Sequence, residues 1–121
     1  MKRFMSTLCL ALAWTVLLSA VAFAACDGKS RSYNVDCYKT FGTYQYAKAT
    51  QSAACNSGCS VTLKTGLKII YTDGTSASYS GSSSVNKQVP SGKVGQKASG
   101  TFNATCAGGY KFPTRTATDN W

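Results

Sequence analysis

The side chains of this chain that are capable of chemistry are mainly its cysteines, tyrosines and lysines. The 121 residues include no histidine, and the acidic residues are four aspartates: Asp27, Asp36, Asp73 and Asp119. The absence of histidine excludes the triads that use it as general base, and most zinc sites. Because the aspartates are scattered, a paired-carboxylate glycosidase is also disfavoured. We therefore predict a non-enzyme with no metal and no cofactor, and keep an enzyme of unfamiliar type as a lesser alternative.

The cysteines are best explained as disulfide partners. Cys9 lies in the apolar leader described below, and five cysteines follow it: Cys26, Cys37, Cys55, Cys59 and Cys106. Cysteines of a small exported domain pair first with one another, and an odd number leaves one free, lipidated or paired between molecules. A metal or redox site at Cys55 and Cys59 is the alternative, but their spacing is not that of thioredoxin-like motifs.

Strand parity and position favour one disulfide pairing. Cys106 falls on the inward parity of a predicted strand, so its sulfur should point into the core. Cys59 directly precedes the longest predicted strand, which favours a Cys59–Cys106 bridge between two sheets. Cys26 and Cys37 are then the natural second pair, and Cys55 is left over.

The first 24 residues have the layout of a secretory signal peptide. Lys2 and Arg3 precede an apolar stretch over 8–21, and the small-x-small sequence Ala22-Phe23-Ala24 follows it. We predict cleavage after residue 24, export to the periplasm or beyond, and no membrane span afterwards. An uncleaved membrane anchor is one alternative. A lipoprotein anchored through Cys26 is another, although Phe23 stands where a lipobox usually has leucine.

The charge balance favours anionic partners. The net charge of the full sequence is +9. Two of these positive charges belong to Lys2 and Arg3, which the predicted cleavage removes. Such a basic protein suits an anionic polymer or an acidic protein surface. Nucleic acid is disfavoured because the domain is exported. The lysines are spread along the chain, so solubility alone is an alternative explanation of the charge.

Tyrosines give the strongest indication of a binding site. The chain has seven, and several cluster near two lysines in the first half of the domain. Aromatic rings in such a cluster can stack on sugars or bases, while packing within strands is the structural alternative. The predicted binding residues are Tyr33, Tyr38, Lys39, Tyr44, Tyr46 and Lys48.

Period-two alternation predicts the elements that must hold these residues. Over 60–71 apolar residues take one parity and lysines and threonine the other, which is typical of a half-buried strand. Thr72-Asp73-Gly74 then predicts a three-residue hairpin loop with Gly74 at positive φ. Its register pairs Ile69 with Ala77 and Leu67 with Tyr79. The predicted core comprises Leu63, Leu67, Ile69, Tyr71, Tyr79 and Phe102.

The rest of the chain adds short strands and turns. Alternation is clear over 98–106, and shorter strands are predicted at 44–46, 85–89 and 110–112. We predict a mobile start over 25–32, a short helix or loop over 47–54, and a polar tail over 114–121. Five to seven short strands without a helical period favour an all-β fold. The prediction is a single domain, 25–121: a small antiparallel β-sandwich stapled by disulfides, which resembles immunoglobulin-like sandwiches by pattern only.

These features together predict a non-catalytic exported binding module. Its partner would be an envelope polymer or another protein, as for an inhibitor or immunity protein. The alternative is a small secreted cationic toxin or antimicrobial effector, which the charge favours. The lack of a basic amphipathic helix counts against membrane lysis.

Overall fold

The computed structural model describes residues 26–121, and the predicted signal peptide lies outside the described residues. This part of the chain forms seven strands and one short 3-10 turn, Asn56–Gly58. No helix in it is long and apolar enough to span a bilayer. The strands are β1 (Gly28–Thr40), β2 (Tyr44–Cys55), β3 (Val61–Tyr71), β4 (Ser76–Gly81), β5 (Ser84–Gln88), β6 (Gly95–Cys106) and β7 (Arg115–Asn120).

The strands form two antiparallel sheets that pack face to face. One has three strands in the order β1-β2-β5, and the other has four in the order β4-β3-β6-β7. The chain passes between the sheets at β2–β3, β4–β5 and β5–β6, so no sheet is built from consecutive strands alone. The predicted all-β antiparallel sandwich is confirmed.

The strand order is similar to that of constant-type immunoglobulin domains but not identical to it. Constant-type immunoglobulin domains place strands A, B, E and D in one sheet and C, F and G in the other. When the strands of this protein are lettered A to G in chain order, the sheet β1-β2-β5 becomes A-B-E and the sheet β4-β3-β6-β7 becomes D-C-F-G. The difference is that the fourth strand lies in the opposite sheet here, where it pairs with the third.

The core lies between the sheets and follows the predicted alternation. Leu67, Ile69, Tyr71 and Phe102 are buried, as predicted. Leu63, near the start of β3, and Tyr79, on edge strand β4, are only half-buried. The three-stranded sheet contributes mostly smaller apolar residues: Val35, Ala47, Ala49, Val85 and Val89.

The β3–β4 hairpin has the predicted register. Ile69 pairs with Ala77 and Leu67 with Tyr79. Gly74 has φ +85°, a left-handed conformation that glycine adopts without a steric cost. Asp73 stabilises the loop because its carboxylate accepts a hydrogen bond from the Thr75 backbone N–H at 3.0 Å. The three-residue loop therefore sets which face of β3 is buried.

Two predictions near the start of the domain are wrong. The predicted mobile start is the first part of β1, which pairs with the end of β2 through Ser30–Ala54 and neighbouring partners. The predicted helix or loop over 47–54 is the body of β2. Ala47 and Ala49 are completely buried there, because small side chains let β2 lie close to the opposite sheet.

The end of the chain also differs from the prediction. Residues 110–112 make only an isolated bridge, between Lys111 and Thr105, and no strand. The predicted polar tail instead forms β7, which pairs with β6 over Arg115–Asn120. β7 is short and polar because it is an edge strand, whose outward side chains face solvent.

The disulfides differ from the predicted pairing. Cys55 is bonded to Cys106 with a Cα–Cα distance of 6.0 Å, and Cys26 to Cys59 with a Cα–Cα distance of 5.7 Å. Cys37, which was expected to pair with Cys26, has a free thiol. The staple between the sheets therefore exists, but Cys55 provides it in place of Cys59. Because the Cys26 sulfur is in a disulfide, it cannot carry a thioether lipid, which argues against the lipoprotein alternative.

A polar cluster also joins the sheets inside the sandwich. The Gln51 side chain on β2 is buried, and its Nε2 donates to Thr65 Oγ1 at 2.9 Å and to the Lys64 carbonyl at 3.0 Å. Thr65 Oγ1 donates in turn to the Ser82 carbonyl at 2.7 Å. The two hydrogen bonds from Gln51 to β3 fix the alignment of β2 on β3.

Candidate functional site: a tyrosine-rich sheet face

Three of the predicted tyrosines lie together on the outer face of the three-stranded sheet. Tyr38 on β1 is the direct register partner of Tyr46 on β2. Their rings stack with centroids 5.3 Å apart and an interplanar angle of 11°. Tyr44 lies two residues from Tyr46 on the same face of β2, and 51% of its surface is exposed. We call this surface, with Lys48, Asn86 and Gln88, the tyrosine face.

Amide side chains from β5 complete the tyrosine face. β5 pairs with β2 so that Gln88 lies beside Tyr46 and Asn86 beside Lys48. The Asn86 amide reaches the Tyr38 hydroxyl, with its Nδ2 at 3.0 Å and its Oδ1 at 3.2 Å. This hydrogen bond crosses β2 and holds the Tyr38 ring in place, so the stacked pair is preorganised.

The centre of the tyrosine face is nearly neutral in charge. Lys48 is the register partner of Asp36 on β1, and both side chains are exposed. One positive and one negative charge on neighbouring strands largely cancel at a distance. The face therefore offers aromatic rings, amides and hydroxyls, which are the groups that bind sugar rings and their hydroxyls.

A groove of about 250 Å³ opens at one end of the tyrosine face. Its walls include Tyr44, Gln88, Pro90 and Lys93, so two of its residues belong to the face itself. Gln45 also lines the groove, and its side chain is fixed because its Oε1 accepts a hydrogen bond from the Gly95 N–H at 2.7 Å and its Nε2 donates to the Gly95 carbonyl at 3.2 Å. An extended ligand can therefore continue from the tyrosines into the groove.

Lys93 is fixed at the groove by an ion pair. Its Nζ lies 2.5 Å from Asp73 Oδ2, in the β3–β4 loop. Hydrogen bonds from Lys93 and Thr75 hold the pKa of Asp73 well below its usual range. The carboxylate is thus ionised at all physiological pH values, and it neutralises Lys93 on that side of the groove.

Two predicted binding residues are not on the tyrosine face. Tyr33 belongs to the inward parity of β1, and its ring centroid lies 5.2 Å from that of Phe102. The Arg31 guanidinium lies 5.5 Å from the Tyr33 ring centroid. Lys39 is exposed but falls on the same inward parity. The structure therefore brings together Tyr38, Tyr44, Tyr46 and Lys48 of the predicted set.

Sequence reasoning missed two residues that adjoin these four and one at the tip of the neighbouring hairpin. Asn86 and Gln88 have outward parity on β5, which follows from the inward parity of Val85 and Val89. Which strand they would lie beside could not be read from the sequence. Phe41, at the tip of the β1–β2 hairpin, is 93% exposed with φ +51°, and its isolated exposure is visible only in the structure.

The described residues show no arrangement suited to metal binding: no three or more Cys and Asp side chains of 26–121 are grouped closely enough to hold an ion. Comparisons of the chain with family models, curated proteins and solved structures find no match.

Proposed function

We propose that this chain is a non-catalytic exported module that binds the sugar rings of an envelope polymer on its tyrosine face. The observation that carries the proposal is the stacked, hydrogen-bonded Tyr38–Tyr46 pair beside the half-exposed Tyr44. Preorganised aromatic rings bind with little loss of side-chain entropy. The two disulfides are consistent with an oxidising compartment, which supports export.

The polymer's sugar rings would lie along β2. Tyr44 and Tyr46 are two residues apart on one strand, which places their side chains about 7 Å apart. Gln88 and Asn86 provide donors and acceptors for ring hydroxyls. The groove beyond Tyr44 accommodates a further unit, so the site suits a chain of sugars more than a single sugar.

Binding to insoluble glycans tests the proposal. We expect the full mature chain to bind purified peptidoglycan or chitin in a sedimentation assay, and Tyr44→Ala to weaken binding about tenfold, since stacking on one aromatic ring contributes about 1–3 kcal/mol. Tyr110→Ala, an exposed tyrosine away from the face, is the matched control and should bind as the parent does. Equal binding by the Tyr44→Ala and parent proteins would refute the proposal.

A second candidate, the cationic toxin or antimicrobial effector, is favoured by the hairpin tip. Phe41 projects into solvent beside the exposed Lys39, and an apolar side chain with a neighbouring cation suits an anionic membrane surface. Dye leakage from phosphatidylglycerol vesicles tests this candidate. Leakage that Phe41→Ser abolishes would favour it over the binding module, and no leakage would remove it.

A further inference from the structure

We propose that the outer face of the four-stranded sheet is a second binding surface, for the phosphate groups of a flexible phosphodiester polymer. This inference does not depend on the tyrosine face, which belongs to the other sheet. The surface is defined by three exposed lysines, Lys64 and Lys68 on β3 and Lys97 on β6, and we call it the lysine face.

Strand register places the three lysines on one surface. Thr65, Leu67 and Ile69 point into the core, so the intervening residues of β3 point outward. On β6, Ala98 is buried opposite Ile69, which turns Lys97 outward. The lysines are surrounded by hydroxyl side chains with the same outward parity, including Thr62, Ser78, Ser80, Ser99, Thr101 and Thr116.

No carboxylate lies on the lysine face. Asp36 is on the outer face of the other sheet, and Asp73 is bound to Lys93 in a loop. Asp119 on β7 has inward parity, and its Oδ2 accepts a hydrogen bond from the Cys37 N–H at 2.8 Å. Asp27 precedes β1 in sequence. The positive charge of the lysines is therefore not cancelled by the protein itself.

The lysines form a row along the strands. Lys64 and Lys68 are four residues apart on β3, which separates them by about 13 Å. Lys97 pairs with Ile70, two residues further along and one strand across. The row is thus about 20 Å long, which fits an extended polyanion better than a single small anion.

The chemistry of this face favours phosphate over other anions. Ammonium groups bind phosphate as point charges, and hydroxyl side chains donate to phosphate oxygens. The face carries no aromatic side chain among its outward residues, so it has no platform for stacking nucleic-acid bases or pyranose rings. A polymer whose repeating unit is a polyol phosphate matches these groups without needing a ring to stack.

The test compares two triple variants of equal net charge. Lys64→Gln/Lys68→Gln/Lys97→Gln removes the row, and Lys29→Gln/Lys39→Gln/Lys87→Gln removes three exposed lysines of the other sheet that lie outside the tyrosine face. The probe is poly(glycerol phosphate), and affinity is measured at several salt concentrations. The first variant should lose at least about tenfold in affinity, and its slope of log affinity against log salt should fall by about 2, since each contact contributes about 0.7. The control should lose less than about twofold.

Three outcomes would overturn the inference. Equal losses in both triple variants would show that only net charge matters. Equal or tighter binding of polygalacturonate would refute the preference for phosphate, and equal or tighter binding of single-stranded oligo(dT) would refute the preference for a polymer without bases. Because Tyr44→Ala leaves the lysine face intact, it should bind poly(glycerol phosphate) as the parent does. This separates failure of the lysine face from failure of the tyrosine face.

Discussion

At the scale of single residues, Cys37 shows how packing determines reactivity. It is the cysteine of the described chain that remains unpaired, and its thiol is partly buried between β1 and β7. Its Sγ lies 3.5 Å from the Asp119 carbonyl oxygen. Burial, together with the negative charge of Asp119, raises the pKa of Cys37 from 9.0 to about 11. Because the thiolate is the nucleophile, Cys37 should be inert at neutral pH.

We therefore predict that Cys37 reacts slowly with iodoacetamide in the folded protein at about pH 8 and much faster after denaturation. Since the pKa is raised on folding, the protonated thiol stabilises the fold below about pH 9, and this contribution is lost as the pH rises towards 11. Asp119→Asn should lower the pKa and increase the alkylation rate. Mass spectrometry measures the extent of alkylation over time for the folded parent, the denatured parent and the folded Asp119→Asn variant. Equal alkylation rates in the folded and denatured states of the parent would contradict the prediction.

At the scale of elements, the sequence was informative where alternation was strong. β3 and β6 alternate apolar and polar residues over most of their length, and Gly74 predicts the hairpin register, so both strands and the fold class could be predicted. β7 could not, because only Ala117 in its sequence is apolar and the strand forms by pairing with β6. Prediction of the candidate site from sequence has the same limit. The sequence is sufficient to identify Tyr44 and Tyr46, whereas Gln88 joins them only because β5 pairs with β2, more than forty positions away in the chain.

β7 is anchored by Trp121, the residue that directly follows it. Trp121 Nε1 donates to the Tyr38 carbonyl at 3.1 Å, and its ring covers Gly95, where a Cβ would lie 2.5 Å from the ring. Glycine at this position lets the indole pack on the backbone. The contact also links the edge of the four-stranded sheet to β1, beside the tyrosine face.

We predict that Trp121→Ala lowers the free energy of unfolding by about 2 kcal/mol, below the usual loss for a fully buried tryptophan because Trp121 is only half-buried. The matched control on β7 is Thr118→Ala, whose side chain points to solvent and whose loss should stay below about 0.5 kcal/mol. Urea unfolding followed by circular dichroism measures both. A loss for Trp121→Ala no larger than that of the control would show that Trp121 does not anchor β7.

At the scale of the whole molecule, the two proposed surfaces point in opposite directions. The tyrosine face covers the outside of one sheet and the lysine face the outside of the other. One molecule could then bind two polymers, or two segments of one polymer, at the same time. Such bivalent binding increases the overall affinity without any new contact, provided that both surfaces can be occupied together.

The disulfides make this two-sided arrangement rigid. Cys55–Cys106 joins the ends of β2 and β6 across the sheets, the second and sixth strands, which are also bridged in antibody domains. Cys26–Cys59 ties the start of the domain to the β2–β3 connection. The segments that the two disulfides close, 26–59 and 55–106, overlap over 55–59. Each disulfide therefore also restrains one end of the segment that the other closes.

Removing each disulfide separately tests their contributions. Loops of 51 and 33 residues are each worth about 4 kcal/mol by chain entropy alone, so the loops do not distinguish the two bonds. Burial distinguishes the two disulfides, because Cys106 is 1% and Cys55 6% exposed, whereas Cys26 and Cys59 are half-buried. Cys55→Ala/Cys106→Ala should therefore destabilise the fold by about 1 kcal/mol more than Cys26→Ala/Cys59→Ala, since it also leaves a buried gap. Non-reducing peptide mapping verifies the pairing first, and urea unfolding of both variants then measures the difference. A Cys59–Cys106 peptide, or a larger loss for the Cys26–Cys59 variant, would contradict this arrangement.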